Sequence, residues 1–377
     1  MTQRVRGAVL RQMGLPAPYA QSRPLVVEEL ALAPPGPGEV RLRIRAAGLC
    51  HSDLSVIDGS RPRVLPMVLG HEASGTVLEC GPEVSGLAPG DLVACAFMPS
   101  CGHCAPCAEG RAALCEPGAA ANGAGSLLAG SRRWSREGEA LHHHLGVSAF
   151  AEQVVVSARS LVKLPADLDP AIAALFGCAV LTGVGAVVNT AQAQLGAAVA
   201  IIGLGGVGLA ALLGARASGA HPLVAVEGVA SKRALALELG ATQVVDAADP
   251  DALQQVRALT AGGAELVVEC AGSESALAFA YAATRRGGTT VTAGLPDPAQ
   301  RFSVPAVSLV AEERTVKGSY MGSCVPARDI PRYVQLYRAG RLPVDRLLTH
   351  RLPLEDINTG FDRLASGAAV RQVVQFD

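Results

Sequence analysis

The 377-residue sequence has no excess of either charge: 32 Lys and Arg oppose 33 Asp and Glu, a formal net charge of -1 at pH 7. Its basic residues are scattered, which argues against a nucleic-acid partner and against a polybasic membrane anchor. A long uninterrupted apolar run is also missing. The most apolar stretch, Ala197 to Leu213, is broken by glycines in a nucleotide-binding pattern and does not read as a membrane span. Met1 to Gly14 carries three arginines and no apolar core, so it does not read as a secretory signal and the cytoplasm is the expected compartment. No internal repeat or low-complexity linker is evident; the Ala- and Gly-rich patch Gly118 to Gly130 comes nearest.

What is present is globular. Half of the residues are hydrophobic and 17% are charged, and a chain of this length predicts about two domains. The first ~150 residues read as β structure. From Glu39 to Ala46, Val40, Leu42, Ile44 and Ala46 alternate with Arg41, Arg43 and Arg45, the period of a half-buried strand. Gly75 to Cys80 and Asp91 to Ala96 read as further strands between Gly-Pro and Pro-Gly turns.

Beyond Ala179 the rhythm changes. Short β-type runs at Val199 to Ile202, Leu223 to Val226, Gln243 to Val245, Leu266 to Glu269 and Thr289 to Ala293 alternate with helix-length segments such as Val207 to Ser218, Ser231 to Leu239 and Ser275 to Thr284. That alternation predicts a parallel sheet with crossover helices, an α/β fold. The last ~55 residues break the rhythm and are expected to rejoin the first region.

Four of the ten cysteines, Cys101, Cys104, Cys107 and Cys115, form a C-x2-C-x2-C-x7-C knuckle. Four thiolates on so short a loop can close a tetrahedral shell around zinc with no open position, which marks a structural site. The loop has little apolar content, so the metal would supply its ordering free energy. Disulfides and an iron–sulfur cluster are the competing readings. His103 lies inside the knuckle as a bystander, because four sulfurs already fill the shell.

A second set is dispersed. Cys50 in Gly48-Leu49-Cys50-His51-Ser52-Asp53 and His71 in Gly70-His71-Glu72 are weak signals separately. With Cys178, at the join of the two regions, they would give zinc three protein ligands and leave a fourth position open. Between strand and helix, Gly203-Leu204-Gly205-Gly206-Val207-Gly208 is a dinucleotide turn. There Gly203 allows the tight turn, Gly205 the approach of a pyrophosphate and Gly208 close helix packing, and the helix start near Val207 supplies amide donors. Glu227 ends the next strand, where a carboxylate accepts the ribose hydroxyls and repels a 2′-phosphate, favouring NAD over NADP.

Taken in order, Gly48 to Asp53, Gly70 to Glu72, the knuckle, His142 to Phe150, the Gly-rich turn and the tail Ile357 to Asp362 with Arg371 resemble the zinc-dependent medium-chain alcohol dehydrogenases, of the class I and glutathione-dependent class III type. The resemblance implies a GroES-like β-barrel catalytic domain, residues 1–179 and 321–377, with a Rossmann NAD-binding domain at 180–320. It implies two zinc ions per chain and hydride transfer between an alcohol, or its aldehyde or ketone, and NAD.

Residue by residue, Cys50, His71 and Cys178 match the catalytic zinc ligands, Glu72 the acid beneath the metal and Asp53 the carboxylate orienting the zinc-binding His. Ser52 matches the hydroxyl that takes the alcohol proton. Ser55 stands where many relatives have a His that passes that proton on, and serine has no suitable pKa for this. His51, Thr182, Lys232, Leu295, Ser319, Met321 and Arg371 match cofactor contacts, with Gly206 in the turn. Arg61, Phe97, His144, Leu145, Leu295 and Tyr320 match pocket positions. Arg61 at the pocket mouth could pair with a substrate carboxylate; a surface arginine is the competing reading. The run His142-His143-His144 is expected to be a solvated loop.

Ala119 replaces the arginine that binds glutathione in the formaldehyde-oxidising relatives, which argues against that thiol without excluding another. A thiol-dependent formaldehyde dehydrogenase and a non-catalytic nucleotide-binding protein are the alternative functions. Gly118 to His144 lengthens the loop after the knuckle as in dimeric relatives, so a homodimer acting on a small-molecule substrate is expected, with no nucleic-acid or membrane partner.

Overall fold

The structure is a computed structural model and describes residues 1–376. The chain divides into two compact units, one comprising Met1–Cys178, Val325–Arg332 and Leu348–Asp377, the other Ala179–Cys324 and Tyr333–Leu347. The sequence expectation assigned everything after residue 320 to the first domain. Met321–Cys324 and Tyr333–Leu347 belong instead with the second unit. Leu342, Val344 and Leu347 are completely buried, and Arg341 and Arg346 reach Ala217 O and Glu238 of that unit.

The first unit holds a closed five-stranded barrel running Gln3–Leu10, Leu25–Leu32, Trp134–Arg136, Glu139–His143 and Met67–Val68. A second sheet packs Glu39–Gly48 between Glu72–Cys80 and the C-terminal strand Arg371–Gln375. The alternation seen in Glu39–Gly48 has a simple outcome: Val40, Leu42 and Ile44 are fully buried while Arg43 is exposed. The Ala- and Gly-rich patch is not a linker, because Glu116–Ala124 is a helix with Pro at its start and Gly125 in the left-handed conformation closing it. The chain from there to His143 supplies two barrel strands rather than a loop.

The second unit is a six-stranded sheet in the order Gln243–Asp246, Leu223–Glu227, Val199–Ile202, Ala264–Glu269, Thr284–Thr292, Thr315–Gly318. Its ladders are all parallel. Numbered along the chain, that is strand order 3-2-1-4-5-6, whose switch point lies at the end of Val199–Ile202, where dinucleotides bind in sheets of this kind. Near-continuous apolar runs such as Val199–Ile202 follow from burial on both faces. Among the described residues no helix is long and apolar enough to cross a membrane.

Candidate active site and metal centres

Cys50, His71 and Cys178 converge in the first unit, each held by a different element. Cys50 occupies the position before helix His51–Ile57 and does not cap it, which leaves its thiol free for another partner. His71 follows Gly70, whose φ is +92°. A Cβ on Gly70 would also run into the backbone and ring of Phe150, so glycine is required there. Cys178 follows Gly177, whose missing Cβ lets the turn lie against the Cys95 carbonyl. The three ligand atoms all lie within 4.8 Å of one another and all three residues are buried.

The geometry and donor chemistry suit zinc. His71 Nε2 lies 3.5 Å from Cys178 Sγ, and thiolate and imidazole sharing a tetrahedral zinc stand about 3.5 Å apart from the usual bond lengths. His71 Nδ1 faces Asp53, 3.2 Å from Oδ1 and 3.1 Å from Oδ2, and Asp53 Oδ1 also accepts Gly70 N at 3.0 Å. That bond turns the other ring nitrogen toward the sulfurs. Burial works against a charged His71 ring, but Asp53 outweighs it and holds the ring well above the usual imidazole range. The hydrogen bond from Cys178 drives the Cys50 thiol well below its ordinary value, a thiolate poised as a ligand.

Glu72 lies across the strand ladder from Gly48, whose absent side chain makes room for the carboxylate. Burial pushes Glu72 up to about 7, against the pull of Arg371. Arg371 Nη2 donates to Glu72 Oε2 at 2.9 Å, while Oε1 is buried without a hydrogen-bond partner. The resemblance implied a pyrophosphate contact for Arg371; here the guanidinium is 3% exposed and engaged with Glu72 and with Leu49 O.

Ser52 Oγ is 3.8 Å from Cys50 Sγ. Ser55 Oγ donates to His51 O at 2.8 Å, a local helix bond that occupies its hydroxyl. His51 is exposed. Phe97 and Leu145 are each 7% exposed, and Phe97 meets the His71 ring edge-on at 5.7 Å. Arg61 is half-buried and its backbone N–H anchors the loop to Ser55 O.

The expectation of a solvated histidine run is overturned. His143 is 0% and His144 1% exposed, because His143 ends a barrel strand and both side chains turn inward. His143 Nε2 accepts Arg133 N, and burial pushes the ring down to about 3, with Arg133 adding to it. His144 Nδ1 stands 3.0 Å from Asp53 Oδ1. Residue patterning missed this, because a His after a strand carries no signal of which side chain awaits it.

The knuckle cysteines Cys101, Cys104, Cys107 and Cys115 also bring their sulfurs within 4.8 Å of one another. Backbone N–H groups of His103 and Cys104 point at Cys101 Sγ, and those of Cys101 and Gly118 at Cys115 Sγ. These donors lower the Cys101 thiol to about 6, His103 N–H contributing most. His103 turns its ring to Cys101 O, away from the sulfurs. All ten cysteines are free, so the disulfide reading does not hold for the described residues.

In the second unit Gly203 has φ +84° and starts the turn after Val199–Ile202. A Cβ on Gly208 would collide with the Gly203 carbonyl, whereas one on Gly205 would meet nothing within 4 Å. Space is therefore open against the backbone at Gly205, directly before helix Gly206–Ala217, whose first amides are free to donate outward. Glu227 stands at the end of its strand, Oε2 accepting Leu204 N at 2.8 Å and Oε1 accepting Val229 N at 3.0 Å.

Two groups here carried no sequence signal. Arg233 donates to Glu227 O and Gly228 O and pairs with Asp246. Glu269, buried at a strand end, accepts Gly272 N and Thr292 Oγ1. Lys232 is half-buried on helix Ala230–Leu239, Thr182 and Ser319 are buried, Met321 is buried with φ +50°, Tyr320 is half-buried, and Leu295 is 49% exposed.

The family model described as alcohol dehydrogenase GroES-like domain matches residues 36–166, and that described as zinc-binding dehydrogenase matches residues 206–339. A Mycobacterium tuberculosis protein provisionally named alcohol dehydrogenase D is 40% identical over 361 residues, covering 94% of this chain and 97% of that protein. Benzyl alcohol dehydrogenase from Acinetobacter calcoaceticus superposes with a TM-score of 0.93 at 29% identity, both chains fully covered. Acetophenone reductase from Geotrichum candidum, solved with NAD, superposes at 0.80 with 26% identity, covering 99% of this chain and 97% of that one.

Proposed function

The chain belongs to the zinc-dependent medium-chain alcohol dehydrogenases, and from that premise we propose that it oxidises a primary or secondary alcohol with NAD, or reduces the corresponding carbonyl, at Cys50, His71 and Cys178. What carries the reading is the convergence of those three ligand atoms within 4.8 Å, with Asp53 on the far nitrogen of His71. Within the family we place the chain near classes I and III, on its knuckle and the length of Gly118 to His144.

Zinc bound there would supply a Lewis acid for the substrate oxygen, and NAD a hydride acceptor. Cys50, His71 and Cys178 would hold the zinc as three protein ligands and would leave it open to that oxygen. Asp53 holds His71 in the tautomer that presents Nε2. The Ser52 hydroxyl receives the substrate proton; Ser55, with its hydroxyl on a helix carbonyl, does not carry it further. Phe97 and Leu145 present apolar surface to the substrate body. Four knuckle cysteines would hold a second, closed zinc. Gly203 to Gly208 receive the pyrophosphate. Glu227 receives the ribose and repels a 2′-phosphate by like charge, with His51, Thr182, Lys232, Leu295, Ser319 and Met321 as further cofactor contacts. Free cysteines at metal-ligand spacing suit the reducing cytoplasm.

A panel of alcohols, aldehydes and ketones with NAD and NADP tests this. We expect kcat/KM with NAD to exceed that with NADP by at least about tenfold, the scale of one charge repulsion, and no thiol requirement in formaldehyde oxidation. A zinc-replete protein that oxidises no alcohol, or that prefers NADP, would overturn it.

We propose further that two copies pair through the edge of the parallel sheet. Among the described residues Thr315–Gly318 has a neighbour on one side only and is exposed throughout, and in the helix that precedes it, Ala306–Ala311, Val307 and Val310 are 71% and 80% exposed. An open strand edge with apolar flanks is a template for another chain. Sedimentation velocity should show a species of twice the chain mass, shifted toward monomer by Val310→Asp; a monomer at micromolar concentration refutes the pairing.

A further inference from the structure

The barrel delivers a second imidazole, His144, to the support of His71. Strand Glu139–His143 pairs in parallel with Met67–Val68, His143 lying opposite Val68. The two chains stay together beyond the strands, where Ala149 N and Phe150 N donate to Gly70 O and Leu69 O. A tight turn fixes His144 itself. Its backbone N–H donates to Ser148 Oγ at 2.8 Å, and Leu145 and Ser148 take φ of +49° and +57°. Left-handed backbone is costly for residues with a Cβ, so the fold gives up stability to hold this turn.

Asp53 is 0% exposed, and among the described residues its ionic partners are the imidazoles of His71 and His144, with no Lys or Arg. A carboxylate taken out of water needs a donor on each oxygen. His71 Nδ1 stands between the two, 3.2 Å from Oδ1 and 3.1 Å from Oδ2. Oδ1 also accepts Gly70 N at 3.0 Å and lies 3.0 Å from His144 Nδ1. Asp53 Oδ2 and His144 Nδ1 are left buried without an aligned hydrogen bond. One placement of the ring protons satisfies both atoms: His144 Nδ1–H donates to Oδ1, and His71 Nδ1–H donates to Oδ2. His144 and Phe97 also stand edge-on to the His71 ring, at 5.4 and 5.7 Å, which limits its tilt.

We infer that His144 is a positioning residue of the metal centre rather than a wall of the substrate pocket. By donating to Asp53 Oδ1 it reserves Oδ2 for His71, and so fixes the imidazole that presents Nε2 to Cys50 and Cys178. This role rests on the reading of those three residues as zinc ligands given above. Without the His144 donor, Asp53 can turn between Gly70 N–H and His71, and the ring it orients loosens with it. A group that touches no substrate shows in metal retention and in kcat more than in KM.

The test compares the zinc-replete wild type with His144→Phe and His144→Asn. Phe keeps a ring and removes the donor; Asn is smaller but sets an amide N–H close to where Nδ1 stands. The readout is the rate at which zinc passes to an excess of a chromophoric chelator, which needs no turnover. The zinc equivalent that Cys178→Ala lacks leaves His144→Phe at least about tenfold faster than wild type, and leaves His144→Asn within about threefold of it. The knuckle equivalent leaves all three at one rate. On any alcohol that is turned over, kcat falls in the same order and KM holds. A packing role predicts the reverse order, with Phe the better substitute; that order, or equal release from all three, overturns the inference. Should His144→Phe not fold, NMR of the wild type with nitrogen-labelled histidine decides. A protonated His144 Nδ1, assigned by its loss in His144→Asn, supports the role, and an unprotonated one overturns it. Zinc release in the expected order without oxidation of any alcohol refutes the dehydrogenase reading and upholds the positioning role. A wild type that holds only the knuckle zinc refutes both.

Discussion

Cys178→Ala should lower kcat/KM by at least about a thousandfold, some 4 kcal/mol of transition-state stabilisation, while the melting temperature changes little. Cys178 Sγ is 3.5 Å from His71 Nε2, and its loss leaves Cys50 and His71 as two ligands where zinc needs three. The residue is 5% exposed, so removing one sulfur leaves only a small cavity, about 1 kcal/mol. Metal analysis should find one equivalent of zinc lost and one retained, because the knuckle sulfurs lie in a separate cluster. Retention of more than a tenth of the activity, or loss of both equivalents together, would contradict the assignment of two independent sites.

Gly205→Val should raise the Kd for NAD at least about a hundredfold, close to 3 kcal/mol, with an unaltered fold. A side chain there meets no protein atom within 4 Å, so it costs folding little, yet it projects into the space proposed for the pyrophosphate. Gly208→Ala makes the contrast. Its Cβ would strike the Gly203 carbonyl, and overpacking of that kind costs about 1–3 kcal/mol of stability. Calorimetry with NAD and thermal melts on both variants separate the effects; a Gly205→Val protein that binds NAD like the wild type would remove the pyrophosphate from this turn.

Periodicity located Val199–Ile202 to the residue, and it placed the helices after the first, second and fourth strands within one residue at each end. Parallel strands buried on both faces write themselves as apolar runs, and the intervening helices must cross back over the sheet. The Gly118 to Gly130 patch misled because alanine and glycine carry almost no pattern, although Pro117 and Gly125 bracket a helix there. Periodicity does not mark Thr315–Gly318, because an exposed edge strand need not be apolar.

By itself the sequence determined the knuckle, the dinucleotide turn and the α/β alternation, since each is written within a few residues, where chain connectivity enforces proximity. Tertiary structure alone decided that Arg371 lies against Glu72 and that His144 shares Asp53 with His71. Those relations join residues far apart along the chain. They depend on which strands pair and which side chains turn inward, and spacing along one chain does not encode that.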